Sequence, residues 1–234
     1  MYALILAGGQ GERLRPLTDT LPKPMVPVCG KPILAHQVAW LKSADVTDVV
    51  FLAGYRWEAI QDYFGDGQAF GIRAHYSLED TPLGRGGAIR KGIPLVPDGE
   101  ESMVVLNGDV ITFEKLDAIL ERHRTMKNAN SSHLATIMVV PMVSPYGLVD
   151  MNAWDQVVGF REKVEMPHWI NAGVYVLERR IFSELPEIGD HENDTFPRLA
   201  SSGQISAYRS KEFWRSVDSF KDLRETEEYL SSSL

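Results

Sequence analysis

The chain has 234 residues, of which 44% are hydrophobic and 24% charged, the composition of an ordinary globular protein. Its 24 lysines and arginines against 32 aspartates and glutamates give a net charge of −8, which argues against a general binder of nucleic acid or of a membrane surface, because both need clustered positive charge. No apolar stretch approaches the roughly 18 residues of a membrane span, no basic segment precedes the apolar start as in a signal peptide, and the single cysteine suits a reducing compartment. We therefore expect a cytoplasmic protein.

In the first half of the chain, short apolar runs alternate with longer amphipathic ones. The runs at 4–6, 49–52 and 103–106 predict buried strands, each followed by a turn that contains glycine. Two helices are predicted from apolar residues at helical spacing: Leu34, Val38 and Leu41 behind Pro32, and Phe113, Leu116, Ile119 and Leu120. This alternation predicts a mostly parallel sheet with helices on both faces.

The second half is predicted to add antiparallel strands to the same sheet. Its strand-like runs have short connections and are Ala135–Val140, Tyr146–Met151, Val157–Arg161 and Gly173–Leu177. Ser219 and Asp222 resemble a capping box at the start of a last helix, which carries Leu223 and Leu230 on one face. The pattern contains no linker or repeat, so we expect a single α/β unit built on a mostly parallel mixed sheet.

The loop after the first strand is rich in glycine and is predicted to bind phosphate. Gly8, Gly9 and Gly11 let backbone N–H groups approach an anion more closely than a Cβ would allow. A Walker A loop is excluded because no Lys-Ser or Lys-Thr pair follows, and a dinucleotide fingerprint is excluded because four prolines within residues 16–27 prevent the helix that it needs. What remains is a long, stiff loop with four cations that suit a polyphosphate: Arg13, Arg15, Lys23 and Lys31.

Two acidic residues are candidates for ligand contacts. Asp109 follows a strongly apolar strand, and a carboxylate at the carboxyl end of a central parallel strand lies where ligands bind in such sheets. A hard oxygen ligand there suits Mg²⁺, although an ordinary aspartate in a glycine turn is the alternative. Glu79 precedes a second glycine-rich loop, at 84–87, and its carboxylate is a candidate hydrogen-bond acceptor. A solvent-facing glutamate is the alternative there.

Three motifs in the first loop resemble a long family signature. They are GGQGERLRPLT at 8–18, PKPM at 22–25 and PVCGKP at 27–32, and together they are similar to the signature of the sugar-1-phosphate nucleotidyltransferases, or nucleoside-diphosphate-sugar pyrophosphorylases. The resemblance continues through YGLV at 146–149, the Glu162-Lys163 pair and INAGVY at 170–175. It therefore covers most of the chain.

This resemblance implies a three-layer α/β/α, Rossmann-like (GT-A-like) fold in one domain over residues 1–234. Residues 1–125 would form the nucleotide-binding half and residues 126–234 the sugar-phosphate-binding half. The implied reaction joins a nucleoside triphosphate to a sugar 1-phosphate, with Mg²⁺, and releases pyrophosphate. The short chain, the runs at 64–66 and 82–84 and Glu79 are most similar to mannose- or heptose-1-phosphate guanylyltransferases, which favours GTP. The loop at 84–87 resembles the part of the family that grips the nucleobase, so its glycines would admit a flat base and Glu79 would accept hydrogen bonds from guanine N1–H and N2–H₂. Three alternatives stay open. The triphosphate is UTP, dTTP or CTP with another phosphate, the protein is a non-catalytic nucleotide-sugar sensor, or the protein assembles as a homo-oligomer.

The resemblance also implies a role for each matching residue. The catalytic residues are Arg13 and Lys23. The nucleotide-binding residues are Leu6, Ala7, Gly8, Gly9, Gly11, Glu79, Pro82, Gly84 and Asn107. The sugar-phosphate-binding residues are Gly147, Glu162, Lys163 and Asn171. The metal ligands are Asp109 and Asp218.

The chain departs from the family pattern at two places. Arg85 stands where the family commonly has threonine, and Ser216 stands where it often has the second acidic metal ligand. Asp218 follows two residues later, and residues two apart on a strand share a face, so we expect Asp218 to reach the same ion. The alternative is that Asp218 caps the last helix.

Overall fold

A computed structural model describes residues 1–232, which form thirteen strands and six α-helices. The strands are β1 (Tyr2–Leu6), β2 (Pro27–Val28), β3 (Lys31–Pro32), β4 (Asp48–Ala53), β5 (Arg73–Leu78), β6 (Ser102–Asn107), β7 (Val110–Thr112), β8 (Ala135–Val143), β9 (Leu148–Met151), β10 (Val157–Arg161), β11 (Glu165–Glu178), β12 (Ile205–Arg209) and β13 (Trp214–Ser216). The helices are α1 (Ile33–Lys42), α2 (Glu58–Phe64), α3 (Gly84–Gly92), α4 (Leu116–Ala129), α5 (Thr195–Ser201) and α6 (Phe220–Ser232). No helix within residues 1–232 is long and apolar enough to cross a bilayer.

Seven strands form the central sheet, in the order β12-β8-β11-β6-β1-β4-β5. Strands β6, β1, β4 and β5 run parallel to one another, as do β12 and β8, while β11 is antiparallel to both of its neighbours. Leu6 pairs with Leu52 on one side and with Asn107 on the other. The carboxyl ends of β1, β4 and β6 therefore meet at one edge of the sheet.

Apolar side chains cover both faces of this sheet and explain the continuous apolar runs of its central strands. Ile5 and Phe51 point to one face, where they pack in a cluster with residues of α1, α2 and α4. Leu4 and Leu52 point to the other face, where they pack with residues of α3 and α5. A third, smaller cluster lies beneath α6 and includes Val217. The predicted three-layer α/β/α architecture is confirmed.

The first-half helices agree with the sequence pattern except at Phe113. Helix α1 buries Leu34, Val38 and Leu41 as expected. Helix α4 begins at Leu116, so the prediction that Phe113 belongs to its apolar face is wrong. The Phe113 N–H donates to the Phe213 carbonyl, which continues the pairing of β7 with β13, and the exposed Phe113 ring packs against Phe213.

The second half adds to the central sheet less than the sequence pattern predicts. Strand β11 joins it antiparallel to β6 and to β8, as expected, whereas β8 runs in the same direction as β6. Strands β9 and β10 pair only with each other, so the expectation that they belong to the same sheet is wrong. The apolar side chains of this hairpin, among them Met151 and Phe160, stay exposed. Ser219 caps the start of α6, since its Oγ accepts the N–H of Asp222 at 3.3 Å and donates to Asp222 Oδ2 at 2.7 Å.

Candidate active site

A cavity of about 320 Å³ lies at the edge where β1, β4 and β6 end. Its lining residues are Leu6, Gly8, Gly9, Lys23, Pro24, Leu52, Glu79, Pro82, Gly84, Arg85, Ala88, Asn107, Gly108 and Asp109. Ligands of open α/β sheets bind outside the carboxyl ends of the strands, which is the position of this cavity.

The glycine-rich loop forms one wall of the cavity without a helix behind it. Three short 3₁₀ turns, at 12–14, 17–19 and 23–25, carry the chain from the loop towards α1. Gly8 and Gly9 line the cavity, whereas Gly11 packs against Lys23: its φ is +68°, and a Cβ there would lie 2.7 Å from Lys23 Cβ. Gly11 therefore places Lys23 under the loop.

Two carboxylates and two cations from three distant segments meet beside this loop. Lys23 Nζ lies 2.5 Å from Asp109 Oδ2 and 2.6 Å from Asp218 Oδ1. Arg13 Nη2 lies 2.6 Å from the same Asp218 oxygen. Burial tends to raise the pKa of Asp218, but the hydrogen bond from Lys23 and the charge of Arg13 hold it below its usual range. Both carboxylates are therefore neutralised by cations at the edge of the cavity.

Asp218 reaches Asp109 from a loop and not from the face of a strand. Strand β13 ends at Ser216, whose Oγ donates to Asp218 Oδ2 at 2.9 Å. Val217 is fully buried, and its N–H donates to the Asp109 carbonyl at 2.8 Å, which fixes the loop against the end of β6. The cap of α6 is supplied by Ser219 and Asp222.

The base side of the cavity is formed by the segment that leads into α3. Glu79 Oε2 accepts the N–H of Leu83 at 3.0 Å, and Oε1 has no partner within residues 1–232. Gly84 lines the cavity, but Gly86 and Gly87 are buried against the loop at 186–191. A Cβ on Gly87 would lie 2.4 Å from the Glu187 carbonyl oxygen, so the interpretation that these two glycines admit a base is wrong.

The predicted sugar-side residues lie outside the cavity: Asn171 is on β11, Gly147 directly precedes β9, and Glu162 and Lys163 lie between β10 and β11. Gly147 and Glu162 are neighbours, since a Cβ on Gly147 would lie 2.8 Å from Glu162 Oε1. Lys163 is exposed and has φ +52°. Asn171 Nδ2 donates to Tyr175 Oη and to Glu192 Oε1. Gly173, two residues further along, packs against the Asn107 side chain and so brings this strand to the end of β6.

Comparison with known proteins identifies the family. A model of the nucleotidyl transferase family matches residues 2–233. The chain belongs to the nucleotidyl transferase family.

Individual relatives agree with this assignment. The mannose-1-phosphate guanylyltransferase of Mycobacterium tuberculosis is 34% identical over 94% of this chain, which spans 62% of that protein. The D-glycero-alpha-D-manno-heptose 1-phosphate guanylyltransferase of Aneurinibacillus thermoaerophilus is 38% identical over 78% of this chain and 76% of its own length. The crystal structure of HddC from Yersinia pseudotuberculosis superimposes with a TM-score of 0.76 at 25% identity, covering 98% of this chain and 99% of HddC.

Members of the nucleotidyl transferase family generally use a divalent metal ion, and the acidic pair of this chain fits one. Asp109 Oδ1 is buried and has no hydrogen-bond partner within residues 1–232. No group of three or more histidine, cysteine or acidic side chains in that range could hold a metal. Two carboxylates suit an ion such as Mg²⁺, which keeps several waters and also binds substrate phosphates.

Several residues that line this cavity were missed from sequence, and two predicted nucleotide-binding residues, Ala7 and Gly11, are not among those that line it. Ala7 is fully buried and its N–H donates to the Leu52 carbonyl, so it does not line the cavity. The missed lining residues are Pro24, Leu52, Arg85, Ala88 and Gly108. Leu52 ends an apolar strand and Gly108 precedes Asp109, so both had a signal in the strand pattern. Asp190 and Glu192, which bind Arg85, had none.

Proposed function

We propose that this protein is an enzyme that transfers a nucleotidyl group from a nucleoside triphosphate to a sugar 1-phosphate and releases pyrophosphate. The observation that carries the proposal is the meeting of Arg13, Lys23, Asp109 and Asp218 beside a glycine-walled cavity. Two cations and two candidate metal ligands at one edge are what a reaction between two phosphates requires. The names of both guanylyltransferase relatives support the same reaction class.

GTP with mannose 1-phosphate or a heptose 1-phosphate is our first choice of substrates. Glu79 supports guanine, because its Oε1 has no partner in residues 1–232 and the residue lines the cavity. A guanine edge offers two N–H donors to such an oxygen. The alternative is UTP, dTTP or CTP, and it is supported by the UTP–glucose-1-phosphate uridylyltransferase of Synechocystis, which is 31% identical over 87% of this chain.

The main barrier to this reaction is repulsion between anions. The sugar phosphate is mostly a dianion at neutral pH, because its second pKa is about 6, so its oxygen can attack the α-phosphorus without a general base. Arg13 and the N–H groups of the glycine loop would bind the departing pyrophosphate, which matches the planar fork of arginine. Lys23 would neutralise the α-phosphate and Lys163 the sugar phosphate.

Asp109 and Asp218 would hold Mg²⁺. Residues 1–125 would supply most of the nucleotide-binding side of the site, and residues 126–234 would supply the sugar-binding side. When bound, the ion supplies positive charge that offsets the repulsion between the two substrates. Every residue that lines the cavity has a number below 110, which supports this division of one domain.

The single cysteine, Cys29, is free and supports a reducing compartment such as the cytoplasm.

The test is pyrophosphate release with Mg²⁺ for GTP, UTP, dTTP and CTP, each against a panel of sugar 1-phosphates. We expect release with GTP and mannose or heptose 1-phosphate. Release with a different triphosphate alone would keep the reaction and overturn the guanine assignment. Binding of a nucleotide sugar without any release would overturn the enzyme proposal in favour of a sensor.

A matched pair of variants separates the enzyme from the sensor. Arg13→Ala should abolish release, because Arg13 lies beside Asp218 at the cavity edge. Arg124→Ala should retain it, because Arg124 is an exposed residue of α4 that pairs with Glu121 at 2.9 Å and does not line the cavity. Equal activity of the two variants would contradict the role of Arg13.

A further inference from the structure

Arg85 joins the base side of the cavity to the segment that precedes α5. Its Nε and Nη2 donate to Asp190 Oδ1 and Oδ2 at 2.8 and 3.0 Å. Its Nη1 lies 2.7 Å from Glu192 Oε2. Planar, forked pairing of this kind fixes both partners in orientation as well as in distance. One cavity-lining side chain therefore holds two carboxylates of another segment.

Glu192, which pairs with Arg85, also contacts residues of the proposed sugar side. Its second oxygen, Oε1, accepts hydrogen bonds from Asn171 Nδ2 at 2.8 Å and from Tyr175 Oη at 2.7 Å. Asn171 Oδ1 in turn accepts the N–H of Gly173 at 2.9 Å. Asn171 Nδ2 also donates to Tyr175 Oη at 2.9 Å, so both of its N–H bonds are directed inwards. The orientation of the Asn171 amide thus depends on Glu192, and Glu192 depends on Arg85.

The base of this chain of contacts is held by backbone packing. The N–H of Gly86 donates to the Gly189 carbonyl at 2.9 Å, and the N–H of Gly189 donates to the Leu83 carbonyl at 2.8 Å. Burial raises the pKa of the Tyr175 hydroxyl, helped by the charge of Glu192, so Tyr175 stays a neutral donor. Arg85 therefore acts from a fixed position on α3.

We propose that Arg85 is a positioning residue for the sugar 1-phosphate: through Glu192 it sets the orientation in which Asn171 meets a sugar hydroxyl. This inference rests on the proposed function. It assigns Arg85, which lines the base side, an effect on the other substrate. It also makes the bond between Arg85 and Glu192 a physical link between the two sides of the site.

A double-mutant cycle tests the proposal, with GTP and mannose 1-phosphate as substrates. Arg85→Thr should raise the KM for mannose 1-phosphate about tenfold, the size expected for a lost charge-assisted hydrogen bond. The KM for GTP should change about twofold or less. In an Asn171→Ala background, Arg85→Thr should have no further effect on the KM for mannose 1-phosphate. An undiminished effect in that background would overturn the proposal.

Arg90→Thr is the matched control. Arg90 lies on the same helix and donates to the carbonyls of Phe182 and Leu185, so it anchors α3 without touching Glu192. This variant should lower Tm and leave the KM for mannose 1-phosphate unchanged. Arg85→Lys keeps the charge but loses the fork, so its KM should lie between those of wild type and Arg85→Thr. If Arg90→Thr raised the KM for mannose 1-phosphate as much as Arg85→Thr, Arg85 would act only by anchoring α3, which would overturn the proposal.

Wild-type turnover separates failure of this inference from failure of the proposed function. If the wild type turns over and the cycle shows no coupling, the inference alone is wrong. If the wild type is inactive, calorimetric titration with mannose 1-phosphate replaces the KM in the same cycle. Binding that Arg85→Thr weakens only in the presence of Asn171 supports the inference even then, and absence of binding to the wild type overturns both.

Discussion

The two sides of the proposed active site differ in how their residues are held in place. The nucleotide side stands at the ends of β1, β4 and β6, whose central residues, such as Ile5, Phe51 and Val105, are completely buried. The sugar side stands on β9, β10 and the start of β11, where Phe160 is 63% exposed and Trp169 is 37% exposed. Packing therefore fixes the first side, whereas polar contacts have to orient side chains on the second.

This difference separates two kinds of mutational effect. Substitutions at the buried strand ends should reduce turnover, because those residues act on the reacting phosphates. Substitutions on the exposed strands should mainly raise the KM for the sugar phosphate. Variants on each side of the site measure whether turnover and the KM for the sugar phosphate separate in this way.

The largest expected effect is at the end of β6. Asp109→Asn should lower kcat about 10³-fold, because it removes a charge at the reacting phosphates. Asp66→Asn is the control, since Asp66 is exposed and its side chain accepts the N–H of Gln68, away from the cavity lining. Steady-state kinetics of both variants measure kcat. Activity of Asp109→Asn within tenfold of wild type would remove Asp109 from the metal site.

The next effect is at the second carboxylate. Asp218→Asn should lower kcat about 10²-fold and raise the Mg²⁺ concentration needed for half-maximal rate. Ser216→Ala, which removes only a donor to Asp218, should change that concentration much less. A titration of rate against Mg²⁺ measures both. An unchanged Mg²⁺ requirement in Asp218→Asn would show that Asp218 is not a metal ligand.

A third prediction concerns the segment that joins the two sides. Burial lowers the pKa of His191 from 6.5 to about 4, and neither ring nitrogen has a partner within residues 1–232. As pH falls below 6.5 the unfolded chain binds this proton and the folded chain does not, so stability falls until about pH 4. His191 should cost about 2 kcal/mol of unfolding free energy between pH 7 and pH 5.

Urea unfolding of His191→Phe at these two pH values measures that cost. Phenylalanine keeps the edge contacts with Tyr175 and Phe196, so the variant should lose this part of the pH dependence. Trp169→Phe, on the exposed part of β11, is the control and should leave it unchanged, because tryptophan carries no titratable group. The same pH dependence in His191→Phe as in wild type would contradict the buried neutral imidazole.

The smallest effect is expected on the exposed side. Glu162→Gln should raise the KM for the sugar 1-phosphate about tenfold and leave the KM for the triphosphate unchanged, because a hydroxyl loses a charged acceptor. Glu165→Gln is the control, three residues along and equally exposed. Initial rates with each substrate varied in turn distinguish the two constants. A rise in the KM for the triphosphate alone would end the division of the site into two sides.

The sequence predicts the nucleotide side better than the sugar side for a physical reason. Asp109 and the glycine loop follow apolar strands, and parallel strands bring their carboxyl ends to one edge whatever the rest of the fold does. The separate β9–β10 hairpin could not be predicted, because its apolar runs suggest burial, whereas side chains such as Met151 and Phe160 are exposed. The Arg85–Asp190 pair spans 105 positions, and no local pattern announces a partner at that distance. Asp218 and Asp109 contact the same Lys23 Nζ, but Asp218 lies in the loop after β13 and not on the strand face that the spacing predicted.

The most direct test of the central claim uses GTP labelled at its α-phosphorus, with mannose 1-phosphate and Mg²⁺. The claim is that both sides of the site act in one displacement at that atom. The account predicts that the label appears in a nucleotide sugar, with one pyrophosphate released for each product molecule and none when the sugar phosphate is omitted. Label recovered in GMP or GDP, or pyrophosphate released without the sugar phosphate, would contradict it.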